Sequence, residues 1–156
     1  MHSYFWLTSS RLKEPVQDGV PYTTRALRQD LLRVRNAWEE CQASRERDAI
    51  YIYLTAVFDL VSWWTAEGCA LERAHKALRL HRMCPFDDEE PFAAVIRCTV
   101  EPAEVDKRTR SKWSRVLRYA LRYKSHSEPL DQFIKRKGRI NGCADRFTRC
   151  LERAAA

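Results

Sequence analysis

Apolar residues recur along this chain at the spacing of helices. Leu27, Leu31, Val34, Trp38 and Cys41 step by four, three, four and three, which predicts an amphipathic helix over 23–44. Thr23 or Thr24 is placed to cap it. Arg25, Arg28, Arg33, Arg35, Glu39 and Glu40 then point outward. The stripe has coiled-coil width, but three heptads are few, so the expected use is packing inside a bundle. Residues 48–64 form the most apolar segment. It is shorter than the roughly 20 residues of a bilayer span, and Thr55, Asp59 and Ser62 interrupt it. Ile50–Leu54 also has strand propensity, yet the segment's length predicts a central buried helix with Gly68 as its terminator. Asp59 is expected to be buried there, with an Arg or a backbone amide as partner. A third helix is predicted over 69–83, with Leu71, Ala74, Leu78 and His81 inward and Arg73, Lys76, Arg79 and Arg82 on a weaker basic face. The turn MCPFDDEEP (83–91) carries four consecutive acids before a helix over 91–98. These acids suit a helix start, or could fold over a basic surface elsewhere in the chain.

In the last third the pattern changes character. A helix opened by Pro102 and running to Tyr123 places Val105, Thr109, Trp113, Val116, Leu117, Ala120 and Tyr123 on one side. Arg108, Arg115 and Arg122 recur every seven residues on the other, flanked by Lys107, Arg118 and Ser111. No Asp or Glu lies between Lys107 and Arg122. Ser127 is a candidate cap for the next helix, whose Leu130, Phe133 and Ile134 give a short apolar face. Lys135, Arg136 and Lys137 followed by Gly138 read as a helix stop. Asn141 is then a candidate cap, with Ala144, Phe147 and Leu151 continuing the seam. Helix, Gly-centred turn, helix resembles the generic helix-turn-helix pattern over about 20 residues. Phe133, Gly138, Ala144 and Phe147 fit that pattern. Lys137 and Arg139 occupy positions that are more often apolar, and Ile140 falls one place late.

With 156 residues, 45% hydrophobic content, and only 4 Gly and 6 Pro, the expected fold is all-α, a multi-helix bundle of six or seven helices ending in a basic helix-turn-helix-like pair. The expected organisation is an N-terminal arm (1–22), a mixed-charge helical lobe (23–98) and a basic helical lobe (99–156), sharing one core or forming one compact domain. Pro15, Gly19 and Pro21 break helix in the arm, and Tyr4, Phe5 and Trp6 are expected to pack back on the protein. The net charge is +7 and unevenly placed. Residues 1–98 carry 13 basic and 14 acidic side chains, whereas residues 99–156 carry 15 and 7. Such segregation implies a polyanionic partner.

The chemistry of catalysis finds little footing. His75, His81 and Cys84 do not have zinc-ligand spacing, and the four glycines form no phosphate-cradling loop. No metal, no cofactor and no catalytic residue is expected. The six cysteines lack paired spacing, so free thiols in a cytoplasmic protein are expected. Tyr4–Leu7 is too short for a signal peptide, and no membrane span is expected.

The functional expectation is binding of double-stranded DNA by a small transcriptional regulator, with the N-terminal lobe used for dimerisation or partner binding and paired half-sites if it forms a homodimer. Lys107, Arg108, Arg115, Arg118, Arg122, Lys135, Arg136, Lys137 and Arg139 would contact phosphates. Asn141, Arg146 and Arg149 would reach base edges. Tyr119, with Trp113 and Tyr123, raises the option of stacking on unpaired bases. The competing expectation is an adaptor or inhibitor whose basic face docks on an acidic protein surface.

Overall fold

The computed structural model describes residues 21–156, so the expected packing of Tyr4, Phe5 and Trp6 lies outside the described residues. Among the described residues there are seven helices and no strands: α1 (Thr24–Ala43), α2 (Ile50–Ala66), α3 (Ala70–Leu80), α4 (Pro91–Thr99), α5 (Lys107–Tyr123), α6 (Leu130–Arg136) and α7 (Arg139–Ala155). No described helix is long and apolar enough to cross a membrane.

All seven helices feed one buried cluster. α1 begins as its sequence demands, with the Thr23 hydroxyl accepting from the Ala26 amide. Its Leu27, Leu31, Val34 and Trp38 are buried. That stripe is used inside the bundle and is not left over for a coiled coil. α2 is the central helix, with Tyr53, Leu54, Val57, Val61 and Trp64 almost wholly buried. Gly68 follows it at φ 74°, the left-handed conformation that lets the chain leave a helix.

At the middle of the core, the rings of Trp38 (α1), Tyr53 (α2) and Trp113 (α5) meet, with centroids 5.1, 5.7 and 5.7 Å apart. The Tyr53 hydroxyl shares a 2.8 Å hydrogen bond with Thr99, whose own hydroxyl is 2.8 Å from the Val95 carbonyl. Burying a phenol without such a partner costs a few kcal/mol, so α4 is drawn to the same point.

The segment 85–90 is a cap with structural ties. The Glu90 side chain accepts from the Phe92 and Ala93 amides at the start of α4. Ser114 of α5 donates to the same carboxylate. Glu89 is buried, accepts from the Phe86 amide and pairs with Arg97. Two of the four acids thus bind α4 to its neighbours.

Several elements depart from the sequence pattern. α3 turns Leu71 and His81 outward and buries Ala70, Ala74, Ala77 and Leu78. Three alanines permit close approach, and that contact outweighs burial of one Leu. The helix ends at Leu80 because Arg82 takes φ 57°. Asp59 stands exposed rather than buried, with Lys124 as the cation acting on it. α5 starts at Lys107, five residues after Pro102, because Asp106 caps it by accepting from the Thr109 amide at 2.7 Å. α6 is preceded by Pro129 and takes no cap from Ser127.

Between Thr99 and Asp106 the chain is anchored by Glu104. Its two carboxylate oxygens take Arg35 of α1 in a two-pronged pair at 2.8 and 3.0 Å. Arg35 also donates to the Thr99 carbonyl at 2.9 Å. The Arg35 hydrogen bonds, helped by the Glu101 amide, hold the Glu104 carboxyl well below its ordinary 4.5, at about 2. A carboxylate with a lowered folded value stabilises the fold above the unfolded value and loses that effect as pH falls through the folded one. Glu104→Gln is therefore expected to cost about 1 kcal/mol at neutral pH. The gap between variant and parent should close as chemical unfolding is repeated from about pH 5 down to about pH 2. A gap that stayed constant over that range would rule out the ion pair as its source.

Candidate functional site

The candidate site is built by α5 and α7, which lie against one another. Lys112 Nζ donates to Asn141 Oδ1 at 2.9 Å, Arg115 donates to the Thr148 hydroxyl at 2.9 Å, and the Arg118 guanidinium sits 4.7 Å above the Phe147 ring. Trp113, Val116, Leu117 and Ala120 are buried from the α5 side, and Cys143, Ala144 and Phe147 from the α7 side. These contacts fix which α5 residues face solvent.

The expected row of three arginines is divided by this packing. Arg108 and Arg122 stand exposed with no ion pair among the described residues, while Arg115 is half-buried and engaged with α7. Lys107 is exposed and unpaired in the same sense. Arg118 is half-buried, between the Phe147 ring and a Glu90 oxygen 3.9 Å away.

The densest basic run in the sequence is the most neutralised. Lys135 lies 3.0 Å from Asp48 and 3.9 Å from Asp131. Arg136 closes on Glu128 with two bonds of 2.9 Å. Arg139 lies 3.8 Å from Asp48. Lys137 is left without an ion pair among the described residues. The Lys135 and Arg136 cations hold Asp48 and Glu128 below the usual carboxylate range.

On α7 the three expected base-reading residues are all exposed, but not alike. Asn141 lies inside the first turn and does not cap it. The helix begins at Arg139 after Gly138, whose φ is 94°. The Asn141 side-chain oxygen is engaged by Lys112. Arg146 Nε donates to the Lys137 carbonyl at 3.2 Å, and Arg149 has no side-chain partner among the described residues. Asp145 and Glu152 share this helix's exposed surface, so it is mixed in charge.

Tyr119 is buried against Phe133 at 5.8 Å between centroids and is closed to stacking on a base. Tyr123, expected on the apolar face, is 46% exposed instead. The two rings sit 4.7 Å apart, and the one nearer α6 goes inside. No group of three His, Cys, Asp or Glu able to hold a metal occurs among the described residues.

Arg110 is not picked out by the heptad spacing of the arginines. It belongs to the same acid-free stretch, and the spacing of Lys107, Arg110, Ser114 and Arg118 at three or four is a usable signal that they share a face. The part Glu90 plays in tying α4 to α5 is likewise unmarked. No local pattern marks a carboxylate for a helix 24 residues away.

Comparison with known protein families, curated proteins and solved structures finds no match in any of the three.

The turn joining α6 to α7 rests on a close approach of two glycines. A Cβ on Gly142 would stand 2.8 Å from the Lys137 carbonyl oxygen, and one on Gly138 would stand 3.2 Å from Gly142 Cα. Within a helix, Gly→Ala ordinarily stabilises by about 1 kcal/mol. Here the sign is expected to reverse, with Gly142→Ala destabilising by about 1–3 kcal/mol through displacement of the turn. Chemical unfolding of the variant measures this, and a stabilised variant would show that the two helices are free to separate.

Proposed function

We propose that the chain binds double-stranded DNA through the α5–α7 surface. The observation that carries this reading is the split among its cations. Lys107, Arg108, Arg122, Lys137 and Arg149 form no ion pair among the described residues, with Arg108 and Lys137 acting only at longer range on Asp106 and Glu128, whereas Lys135, Arg136 and Arg139 do form one. Exposed cations without partners keep their full attraction for phosphate, and their counterion release favours binding. The Arg108 and Arg122 guanidinium groups would hold the backbone on either side of the engaged Arg115.

α7 is the element offered to the major groove, with Arg149 nearest to an unencumbered base contact and Asn141 able to read a base only after leaving Lys112. A duplex is favoured over a single strand because Trp113 and Tyr119 are both buried, leaving Tyr123 as the exposed ring of α5. Regulation of transcription would follow from sequence preference in that contact. Two copies on a symmetric site would meet on a surface other than the α1 stripe, which is already buried.

Titration of a labelled mixed-sequence duplex tests the reading. With about four phosphates engaged, affinity is expected to fall about a hundredfold between roughly 50 and 200 mM salt. The double variant Arg108→Ala/Arg122→Ala should lower the salt slope by about two. Arg136→Ala, whose charge is already closed on Glu128, should change affinity less than about twofold. Absence of any complex at micromolar protein and low salt would exclude DNA and assign the surface to an acidic protein partner.

A further inference from the structure

A cavity of about 560 Å³ opens between the segment 86–97, the N-terminal half of α5 and the C-terminal half of α7. This volume is in the range of small-molecule sites, roughly 300–1,000 Å³. One wall is a single face of α5, where Lys107, Arg110, Arg115 and Arg118 line the space with Ser111 and Ser114. The facing wall and floor bring Ile96, Phe86, Phe147 and Leu151 together with Asp88, Glu89, Glu90 and Arg97.

Its polar groups are unevenly satisfied. The Arg110 Nε and Arg115 Nε donors are both buried and meet no acceptor among the described residues. Arg115 spends one terminal nitrogen on Thr148, and the Arg110 guanidinium has no hydrogen bond or carboxylate at all among them. A buried guanidinium donor left open is costly, and folded proteins rarely leave one so.

The lining acids do not answer this need. Glu89 gives its Oε2 to Arg97 and the Phe86 amide, and its buried Oε1 meets no donor, the Arg110 and Arg115 Nε groups included. Glu90 is committed to the start of α4 and to Ser114, and its burial raises its pKa and so disfavours its charged form. Asp88 lies on the exposed turn at the rim. Two large apolar side chains at the mouth, Phe86 at 61% and Leu151 at 47%, remain open to solvent.

We propose that this cavity binds a small amphipathic anion, a carboxylate, sulfonate or phosphate on a ring-sized apolar body, whose charged group is held by Arg110 and Arg115 and whose ring is covered by Phe86, Phe147 and Leu151. The site requires no nucleic acid and shares only Lys107 with the unpaired cations proposed to contact DNA. Arg97 already stacks 4.2 Å above the Phe86 ring, so the apolar rim is held in place beside the cationic wall.

The test uses anilinonaphthalene sulfonate as a fluorescent probe on the full chain without DNA. The expected result is saturable binding of one probe per chain, with a dissociation constant in the micromolar range, and weaker binding of phenylnaphthylamine, which lacks the anion. Arg110→Gln is expected to weaken the sulfonate by about ten- to a hundredfold. Phe86→Ala, at a largely exposed position, should weaken it by about tenfold. Arg108→Gln, which removes the same charge from the outer surface, should change it less than about twofold. Thermal melts identify any variant that fails to fold, and Phe86→Ala decides the matter if Arg110→Gln is one. Equal loss in Arg108→Gln and Arg110→Gln, equally tight binding of the neutral amine, or unsaturable binding would each overturn the site.

Discussion

The contact on which the molecule depends most is the meeting of Trp38, Tyr53 and Trp113. Each ring comes from a different helix, and the Tyr53 hydroxyl adds a fourth through Thr99. Aromatic pairs at such distances add about 0.5–1.5 kcal/mol each beyond burial. The geometry matters more than the sum. With Trp113 packed against the other two, the rotation of α5 about its axis is set, and everything on its other faces takes a fixed direction. The unequal treatment of its arginines follows from that one seating.

Once α5 is set, its cations fall into environments that differ by a few ångströms. Arg108 and Arg122 reach water. Arg115 and Arg118 meet α7, where one finds a hydroxyl and the other a ring. Arg110 lines the cavity, where its Nε meets no acceptor. A guanidinium in water costs little to leave unpaired, whereas one with a buried Nε does not. Helix α5 therefore presents two surfaces, one of exposed cations and one that lines the cavity. On α1, Arg33 and Arg35 pair with Asp30, Glu39 and Glu104, while Arg25 and Arg28 stand exposed without an ion pair among the described residues.

Much of the fold could be read directly from spacing. The stripe Leu27–Trp38 specifies α1 because its apolar residues repeat with the helical period over several turns, and the run through Trp64 specifies α2 by its length. Boundaries were harder, because two residues competed for each start. Pro102 tolerates a helix start, but Asp106 supplies an acceptor for the Thr109 amide, and Glu104 is drawn away to Arg35. Asn141 is a good cap by type, yet Gly138 can take the left-handed conformation that begins α7 earlier. The heptad spacing of Arg108, Arg115 and Arg122 suggested one continuous row. Spacing alone carries no information about the neighbour that lies across the middle of a helix, and α7 lies across Arg115.

The charge distribution also shows why density along a sequence is a poor measure of availability. The cluster Lys135, Arg136, Lys137 and Arg139 looks like the strongest polyanion site in the chain. Four like charges crowded at one helix end repel each other, and the folded chain relieves this by bringing up Asp48 from before α2 and Glu128 from before α6. Carboxylates recruited in this way remain partly exposed, so they can be screened by salt, but they meet an incoming phosphate first with repulsion. On α5 the cations are spread over five turns, and their mutual repulsion is small enough that no acid need be brought to each of them. The dispersed charge of α5 thus survives folding largely unneutralised, while in the cluster at the turn only Lys137 is left without an ion pair among the described residues.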